Sequence, residues 1–173
     1  LYGALGLLGS AQGTMNNLTF GNERVQYYET ICSGAPAGPG FDGASAVQTH
    51  MTNSRLTDPE VLELRYPVLL ERFAIERGSG GGGRWRAGDG TVRTLRFLEE
   101  MDCAILSGFR NVQPFGTKGG APGRKGENWV RRTTGTLERL KASDQTRLAQ
   151  GEAVIIRTPT GGGYGKPSPD ENA

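Results

Sequence analysis

The chain has 173 residues, of which 20 are basic and 18 acidic, giving a formal net charge of +2. This near balance gives no reason to expect nucleic acid or an anionic membrane surface as the main partner. No apolar run is long enough to span a bilayer, so we expect no membrane association. The length predicts one domain, or one and a half, with a core large enough to be stable without disulfides.

The cysteine pattern argues against a zinc site and against a disulfide framework. Cys32 and Cys103 are far apart, and neither lies near a histidine or in a Cys-x-x-Cys pair. Two isolated thiols are typical of a reducing compartment, so we predict a cytoplasmic protein. The chain opens at Leu1 without an initiating methionine, which we interpret as a piece of a longer protein.

Glycine is the outlier in the composition. Twenty of the 28 glycines fall in four clusters, at 34–43, 78–90, 116–126 and 161–165. The clusters alternate with segments rich in Val, Ile, Leu, Thr and aromatic residues, whereas low-complexity sequence would scatter or repeat them. They therefore predict turns and loops of a folded, strand-rich domain.

In chain order, the sequence predicts one short helix and then many strands. The leucines of residues 1–15 can share one helical face, which indicates a buried helix. Strands are predicted where apolar and β-branched residues alternate with polar ones, at 16–21, 25–31, 68–76, 101–107, 133–142 and 152–158. We therefore expect a mainly β or α+β fold: a short N-terminal helix, many short strands and glycine-rich loops.

Shorter patterns fill the remaining segments. Thr57 and Glu60 have the spacing of a capping box, which predicts a short helix or turn through Leu64. Residues 84–97 read as a hairpin that turns at Gly88-Asp89-Gly90. The long polar stretch 111–128 predicts a functional or disordered loop, and we expect residues 166–173 to be a disordered tail.

The stretch 34–53, GAPAGPGFDGASAVQTHMTN, combines small residues with a polar cluster, a composition typical of a loop that faces a ligand. Gly38–Gly43 matches G-x-G-x-x-G, but Pro36 and Pro39 do not suit a dinucleotide turn, and no second βαβ unit follows. The loop 78–83 lacks the Gly-Lys-Ser/Thr ending of a phosphate-binding loop. Neither stretch therefore predicts a nucleotide site.

Candidate chemistry centres on the single histidine, His50. Two interpretations stay open: a hydrogen-bonded strand residue, or an acid–base group that works near neutral pH. Thr52, Asn53 and Arg55 add neutral hydrogen-bonding groups and one fixed cation, a set that suits an amide, a carboxylate or a phosphate. Asn17, at the entrance of a predicted strand, is either a turn residue or an amide that faces the site.

Several long motifs resemble the C-terminal part of the hydantoinase B family. They occur in order along nearly the whole chain and include GTMNNLTFG, GFDGAS, THMTNSR, GGAPGRKGEN and TPTGGGYG. The same family holds the B half of ATP-dependent 5-oxoprolinases and N-methylhydantoinases, and the alpha-type subunits of acetone and acetophenone carboxylases. The resemblance implies that residues 1–165 form the C-terminal domain of such a protein.

The resemblance implies an ATP-dependent hydrolase that opens a cyclic amide, with a carboxylase subunit or a non-catalytic assembly domain as the alternatives. ATP would be bound by the companion A half, a separate subunit or domain, and any divalent metal would lie upstream of these residues. We therefore expect an oligomeric complex of an A-type part, the rest of the B chain and a small cyclic-amide substrate. The 173 residues alone would be inactive.

The resemblance also frames the candidate site. On the motifs MNN, GFDGAS and THMTNSR we place two catalytic candidates, His50 and Asp42. The substrate-binding candidates from the same motifs are Asn17, Thr52, Asn53 and Arg55. Asparagine and threonine would hold the ring amide, Arg55 would steady a carboxylate or phosphorylated intermediate, and His50 would shuttle a proton. We assign no metal ligands within this chain.

Overall fold

The computed structural model describes residues 1–11, 15–49, 52 and 54–167. Within these ranges the chain forms nine strands and one short helix. In order they are β1 Asn16–Gly21, β2 Gln26–Ile31, α1 Pro59–Arg65, β3 Val68–Ile75, β4 Thr91–Phe97, β5 Met101–Leu106, β6 Glu127–Arg131, β7 Leu137–Leu140, β8 Ser143–Leu148 and β9 Ala153–Arg157. The predicted mainly β fold is confirmed.

The strands build two antiparallel sheets that share one core. A four-stranded sheet has the order β2-β1-β5-β8, and a five-stranded sheet has the order β3-β4-β9-β6-β7. One buried cluster takes side chains from both sheets, among them Leu18 and Ile105 from the first and Leu95 and Ile156 from the second. The two apolar faces therefore cover each other, as in a β-sandwich.

Phe20 shows how alternation in sequence becomes packing. On β1, Leu18 and Phe20 are buried, while Asn17 and Thr19, which alternate with them, face outward. The Phe20 ring lies 4.8 Å from Tyr27 of β2 and 5.3 Å from Phe97 of β4. The period of two along the strand thus delivers one aromatic ring to both sheets, and it leaves a polar outer face.

The predicted N-terminal helix is wrong, because residues 2–8 form turns and the short helix lies at Pro59–Arg65 instead. Gly6 adopts φ +67°, which a right-handed helix cannot include. The leucines do not form a buried face either, since Leu1 is 92% exposed and Leu5 63%. Their spacing matched a helix, but the glycines between them favoured turns.

The helix α1 forms where a capping pattern predicted it, but the capping residue is Asp58 rather than Thr57. The Asp58 carboxylate accepts the backbone N–H groups of Glu60 and Val61. The Thr57 hydroxyl is instead engaged by Tyr27, 2.8 Å away. Asp58 is followed directly by Pro59, which suits the first helical position, so the helix begins one residue later than a Thr57 cap requires.

The predicted hairpin over 84–97 is wrong in its first half. Trp85 forms only an isolated bridge to Tyr164, whereas β4 pairs with β3 and β9. The prediction also missed β6 and β8. The strand β8, with sequence SDQTRL, lies at the edge of its sheet beside β5, where one neighbouring strand suffices and an apolar pattern is not required.

The four glycine clusters meet in one layer of packed backbone, which we call the glycine layer and define as residues 33–47, 79–90, 114–123 and 159–165. Backbone hydrogen bonds join these segments, including Gly88 N–H to the Ala35 carbonyl at 2.9 Å and Ala37 N–H to the Gly162 carbonyl at 3.1 Å. A Cβ atom at Gly34 would overlap the Gly88 carbonyl. The layer therefore holds loops in place by close backbone contact.

Candidate functional site

The structure shows why the glycine-rich motifs do not form a phosphate cradle. Within residues 38–43, the N–H groups of Gly38, Phe41 and Gly43 donate to the carbonyls of Phe41, Gly38 and Arg86. In the second loop, Gly78 N–H and Gly80 N–H both donate to the Asp89 carboxylate. A phosphate site needs such donors to be available, and these five are already used within the chain.

Asp42 is exposed and joins two loops of the glycine layer. Its Oδ1 accepts the backbone N–H of Arg86 at 2.6 Å. Three residues on, Ser45 Oγ accepts the backbone N–H of Asp89 at 2.9 Å. The GFDGAS motif thus uses its polar side chains to hold the 79–90 loop, and the structure places Asp42 at this junction.

Asp89 organises the neighbouring loop through its carboxylate. It accepts Gly80 N–H at 2.8 Å, Gly78 N–H at 3.1 Å and an N–H of the Arg86 guanidinium at 3.4 Å. Burial favours the neutral acid, but the N–H groups of Gly80 and Gly78 and the charge of Arg86 outweigh it. Together they hold the pKa of Asp89 below its usual value.

The pKa of Asp89 leads to a prediction about pH. Because the pKa is lower in the folded state, the ionised carboxylate stabilises the fold above the unfolded-state value of about 4. That stability is lost as the pH falls through the folded-state pKa. We expect Asp89→Asn to be less stable than wild type at pH 7, with the gap closing below about pH 4. Urea unfolding of both proteins at several pH values measures this difference in stability. Asp102→Asn, which removes an exposed carboxylate, is the control. A stability difference between wild type and Asp89→Asn that does not depend on pH would contradict the prediction.

Asn17 lies in a polar cluster on the outer face of the four-stranded sheet. Its Oδ1 accepts the Tyr28 hydroxyl at 2.9 Å and the Thr30 hydroxyl at 3.4 Å. Thr30 is the cross-strand partner of Asn17, and its carbonyl accepts Gln48 Nε2 at 2.7 Å. We call Asn17, Tyr28, Thr30 and Gln48 the β1–β2 polar cluster. It fixes Asn17 as an amide on the sheet surface rather than a turn residue.

The THMTNSR motif begins next to this cluster. Thr52 is buried, and both its N–H and its hydroxyl donate to the Thr49 carbonyl, at 3.0 and 3.2 Å. Arg55 is exposed. His50 and Asn53 lie outside the described residues. Through Gln48, the structure brings the start of the motif to Asn17, whereas Asp42 is bound to the 79–90 loop.

An open trough runs along the outer face of the four-stranded sheet. Two adjoining cavities of about 1190 and 550 Å³ form it, and they share Thr19, Ala104 and Gln145. Asn17 and Tyr28 line the smaller cavity. The lining mixes hydroxyl, amide and carboxylate groups, a chemistry that suits a small polar molecule better than an apolar one.

The sequence analysis missed a buried ion pair that lies beneath β2. Arg93 and Glu29 have side chains only 1% and 3% exposed, and Arg93 Nε lies 2.8 Å from Glu29 Oε1. Tyr27 donates its hydroxyl proton to Glu29 at 2.6 Å, so the Thr57 hydroxyl must donate to Tyr27. Burial and the hydrogen bond to Glu29 raise the pKa of Tyr27. This chain of bonds anchors Thr57, two residues beyond THMTNSR.

A second buried cation supports the start of β1. The Arg110 guanidinium donates to Asn16 Oδ1 at 2.7 Å, to Asn128 Oδ1 at 2.8 Å and to the Gly108 carbonyl at 2.8 Å. Burial among these neutral acceptors lowers the pKa of Arg110 to about 10. Since Asn16 precedes Asn17, Arg110 fixes the strand end that carries the β1–β2 polar cluster. No local sequence pattern marks this contact.

The thiols do not form a reactive site. Cys32 and Cys103 are buried and free, and burial raises the pKa of both, that of Cys103 to about 12. Within the ranges that the structure describes, no three His, Cys, Asp or Glu side chains lie close enough together to hold a metal ion. The helix seen in those ranges is too short to cross a membrane.

Comparison with known proteins gives consistent matches over nearly the whole chain. The family model described as hydantoinase B/oxoprolinase matches residues 1–167. A 5-oxoprolinase of Dictyostelium discoideum is 45% identical over 163 residues, which make up 94% of this chain and 13% of that protein. The chain therefore spans only a small part of the length of this curated relative.

Two solved structures share the fold. An ATP-dependent caprolactamase from Pseudomonas jessenii superposes with a TM-score of 0.78 at 26% identity, over 92% of this chain and 30% of that chain. A nucleotide-free acetone carboxylase superposes with a TM-score of 0.74 at 16% identity, over 92% of this chain and 27% of that one. The second likeness is one of fold alone.

Proposed function

Because this chain belongs to the hydantoinase B/oxoprolinase family, we propose that it is part of an ATP-dependent cyclic-amide hydrolase that opens the ring of a lactam or hydantoin. The observation that carries the proposal is the 45% identity to a 5-oxoprolinase over 94% of the chain. The similarity to an ATP-dependent caprolactamase, at 26% identity, supports the same reaction class.

Residues 1–165 would be the C-terminal domain of the B-type part of this enzyme. ATP would be held by the A-type companion, which fits the glycine loops described above, since several of their N–H groups, including those of Gly43 and Gly80, are already bonded within the chain. The working enzyme would therefore be a cytoplasmic complex, and these residues alone would have no activity. When ATP is bound in the complex, it would supply the phosphoryl group that activates the amide carbonyl.

We assign this chain the task of holding the ring amide and the polar groups around it. Asn17, Thr52 and Asn53 would hydrogen-bond the ring, and the exposed Arg55 would steady a carboxylate or phosphorylated group. His50 would move a proton, with Asp42 as the second catalytic candidate. Because the Asp42 carboxylate also accepts Arg86 N–H, its variants must be checked for loop stability.

The full-length protein with its A-type partner provides the test. Incubation with ATP and 5-oxoproline or another cyclic amide is expected to release ADP only when the amide is present, together with the ring-opened product. Asn17→Ala should lower kcat/KM about tenfold, the size of one lost hydrogen bond to the substrate. Asn111→Ala, an exposed loop asparagine, is the control. If no cyclic amide stimulates ADP release, the proposal is wrong.

A carboxylase subunit is the second candidate, favoured by the shared fold with acetone carboxylase at a TM-score of 0.74. ATP use that requires both bicarbonate and a ketone would identify it. A domain that only assembles the complex is the third. In that case Asn17→Ala and Arg55→Ala would leave turnover intact, while removal of the chain would break assembly.

A further inference from the structure

Gln48 and Thr49 bury polar atoms that have no hydrogen-bond partner in the part of the chain that the structure describes. The atoms are Gln48 Oε1 and Thr49 Oγ1. Buried polar atoms in folded proteins are bonded in the great majority of cases, because an unmade hydrogen bond leaves the full cost of desolvation. Each exception calls for a physical explanation, and a bond made only with a ligand is one.

Three other buried polar atoms also lack a hydrogen-bond partner among the described residues, and ion pairs account for them. Glu29 Oε1 and Arg93 Nε face each other at 2.8 Å, and Arg96 Nε lies 3.0 Å from Glu71 Oε1. Charge attraction compensates these atoms directly. Gln48 and Thr49 are neutral, so nothing comparable compensates them, and they lie next to each other at the start of THMTNSR.

The orientation of the Gln48 amide is fixed by its other end. Nε2 donates to the Thr30 carbonyl at 2.7 Å. A flipped amide would place two acceptor oxygens at that distance, so the nitrogen must face Thr30. Oε1 is therefore held as an acceptor, and Thr30 in turn donates its hydroxyl to Asn17 within the β1–β2 polar cluster. The acceptor is preorganised, and it needs a donor.

We propose that Gln48 Oε1 accepts the N–H of the substrate's ring amide, with the Thr49 hydroxyl as a second hydrogen-bonding contact. The inference rests on the proposed function, since a cyclic amide offers one N–H donor next to one carbonyl acceptor. An acceptor that is buried and unpaired favours a substrate that carries this N–H over an analogue that lacks it. Gln48 would then be a specificity-determining residue of the ring-opening reaction.

The test combines one side-chain substitution with one change of substrate, and both are measured in the full-length complex. Gln48→Met keeps the shape of the side chain but loses Oε1, and it also loses the bond to Thr30. A substrate methylated on the nitrogen of the amide bond that opens carries a methyl group in place of the N–H, and comparing wild type with variant on each substrate cancels the bulk of that methyl group. kcat/KM is measured for wild type and variant with both substrates, by amide-dependent ADP release. Gln150→Met, an exposed loop position, is the matched control.

We expect Gln48→Met to lower kcat/KM about tenfold for the N–H substrate and less than about twofold for the N-methyl substrate. An equal loss with both substrates would overturn the inference while leaving the proposed function intact, because it would mean that Gln48 acts only through Thr30 or through a bound water. Absence of amide-dependent ADP release by wild type would overturn the proposed function, and this inference with it.

Discussion

Replacing Arg93 by methionine is expected to lower the free energy of unfolding by about 3–5 kcal/mol. Arg93 and Glu29 are 1% and 3% exposed, and they join β4 of one sheet to β2 of the other. Removing the cation leaves the Glu29 carboxylate buried, with the Tyr27 hydroxyl as its one remaining side-chain donor among the described residues. Urea unfolding at neutral pH measures the loss.

Two further variants show whether burial of the charge is the cause. In Glu29→Met with Arg93→Met, neither charge of this pair remains, so most of the lost stability should return. Arg147→Met breaks a comparable ion pair to Glu100, but the two side chains are 70% and 58% exposed, so we expect a change below about 1 kcal/mol. Equal losses in Arg93→Met and Arg147→Met would contradict the explanation.

Gly34→Ala is expected to lower the free energy of unfolding by about 3 kcal/mol, at the upper end of the usual range for overpacking. The new Cβ atom would overlap the Gly88 carbonyl, which is backbone and cannot rotate away as a side chain does. The two loops of the glycine layer would have to separate, and the bond between Gly88 N–H and the Ala35 carbonyl would weaken.

Gly82→Ala is the matched control, because a Cβ atom there meets nothing within 4 Å and the residue is exposed. We expect a change within about 1 kcal/mol, because alanine meets no neighbour there and restricts the unfolded chain. Thermal and urea unfolding of both variants decide the comparison. If Gly34→Ala were as stable as Gly82→Ala, close backbone packing would not be what holds the layer together.

Some of the fold could be predicted because its cause is local. The segments 16–21 and 101–107 alternate apolar and polar residues, and they form β1 and β5 within one residue of the expected bounds. Asp58 and Pro59 start α1 by contacts within one helical turn. By contrast, the helical spacing of Leu1, Leu5 and Leu8 did not determine the secondary structure of the first segment, because the glycines between them prevented a helix.

The candidate site also has parts that the sequence could predict and parts that it could not. The polar motifs GFDGAS and THMTNSR stand out in sequence because glycine and hydrogen-bonding residues cluster there. The partners of the residues in and beside these motifs come from distant strands and loops: Thr30 for Asn17 and Gln48, Arg86 for Asp42, and Tyr27 for Thr57. Such pairs carry no local pattern, so the sequence could not indicate that Asp42 and Asn17 belong to different hydrogen-bonded groups.

By itself, the sequence determined the mainly β class, most strand positions and the family, because periodicity, turn residues and long motifs can be read along the chain. Only the tertiary structure decided which glycines touch, which charges are buried as Glu29 and Arg93 are, and which polar atoms stay unpaired. The physical reason is that burial and hydrogen-bond satisfaction depend on neighbours in space, and here those neighbours are supplied by strands and loops far apart in sequence.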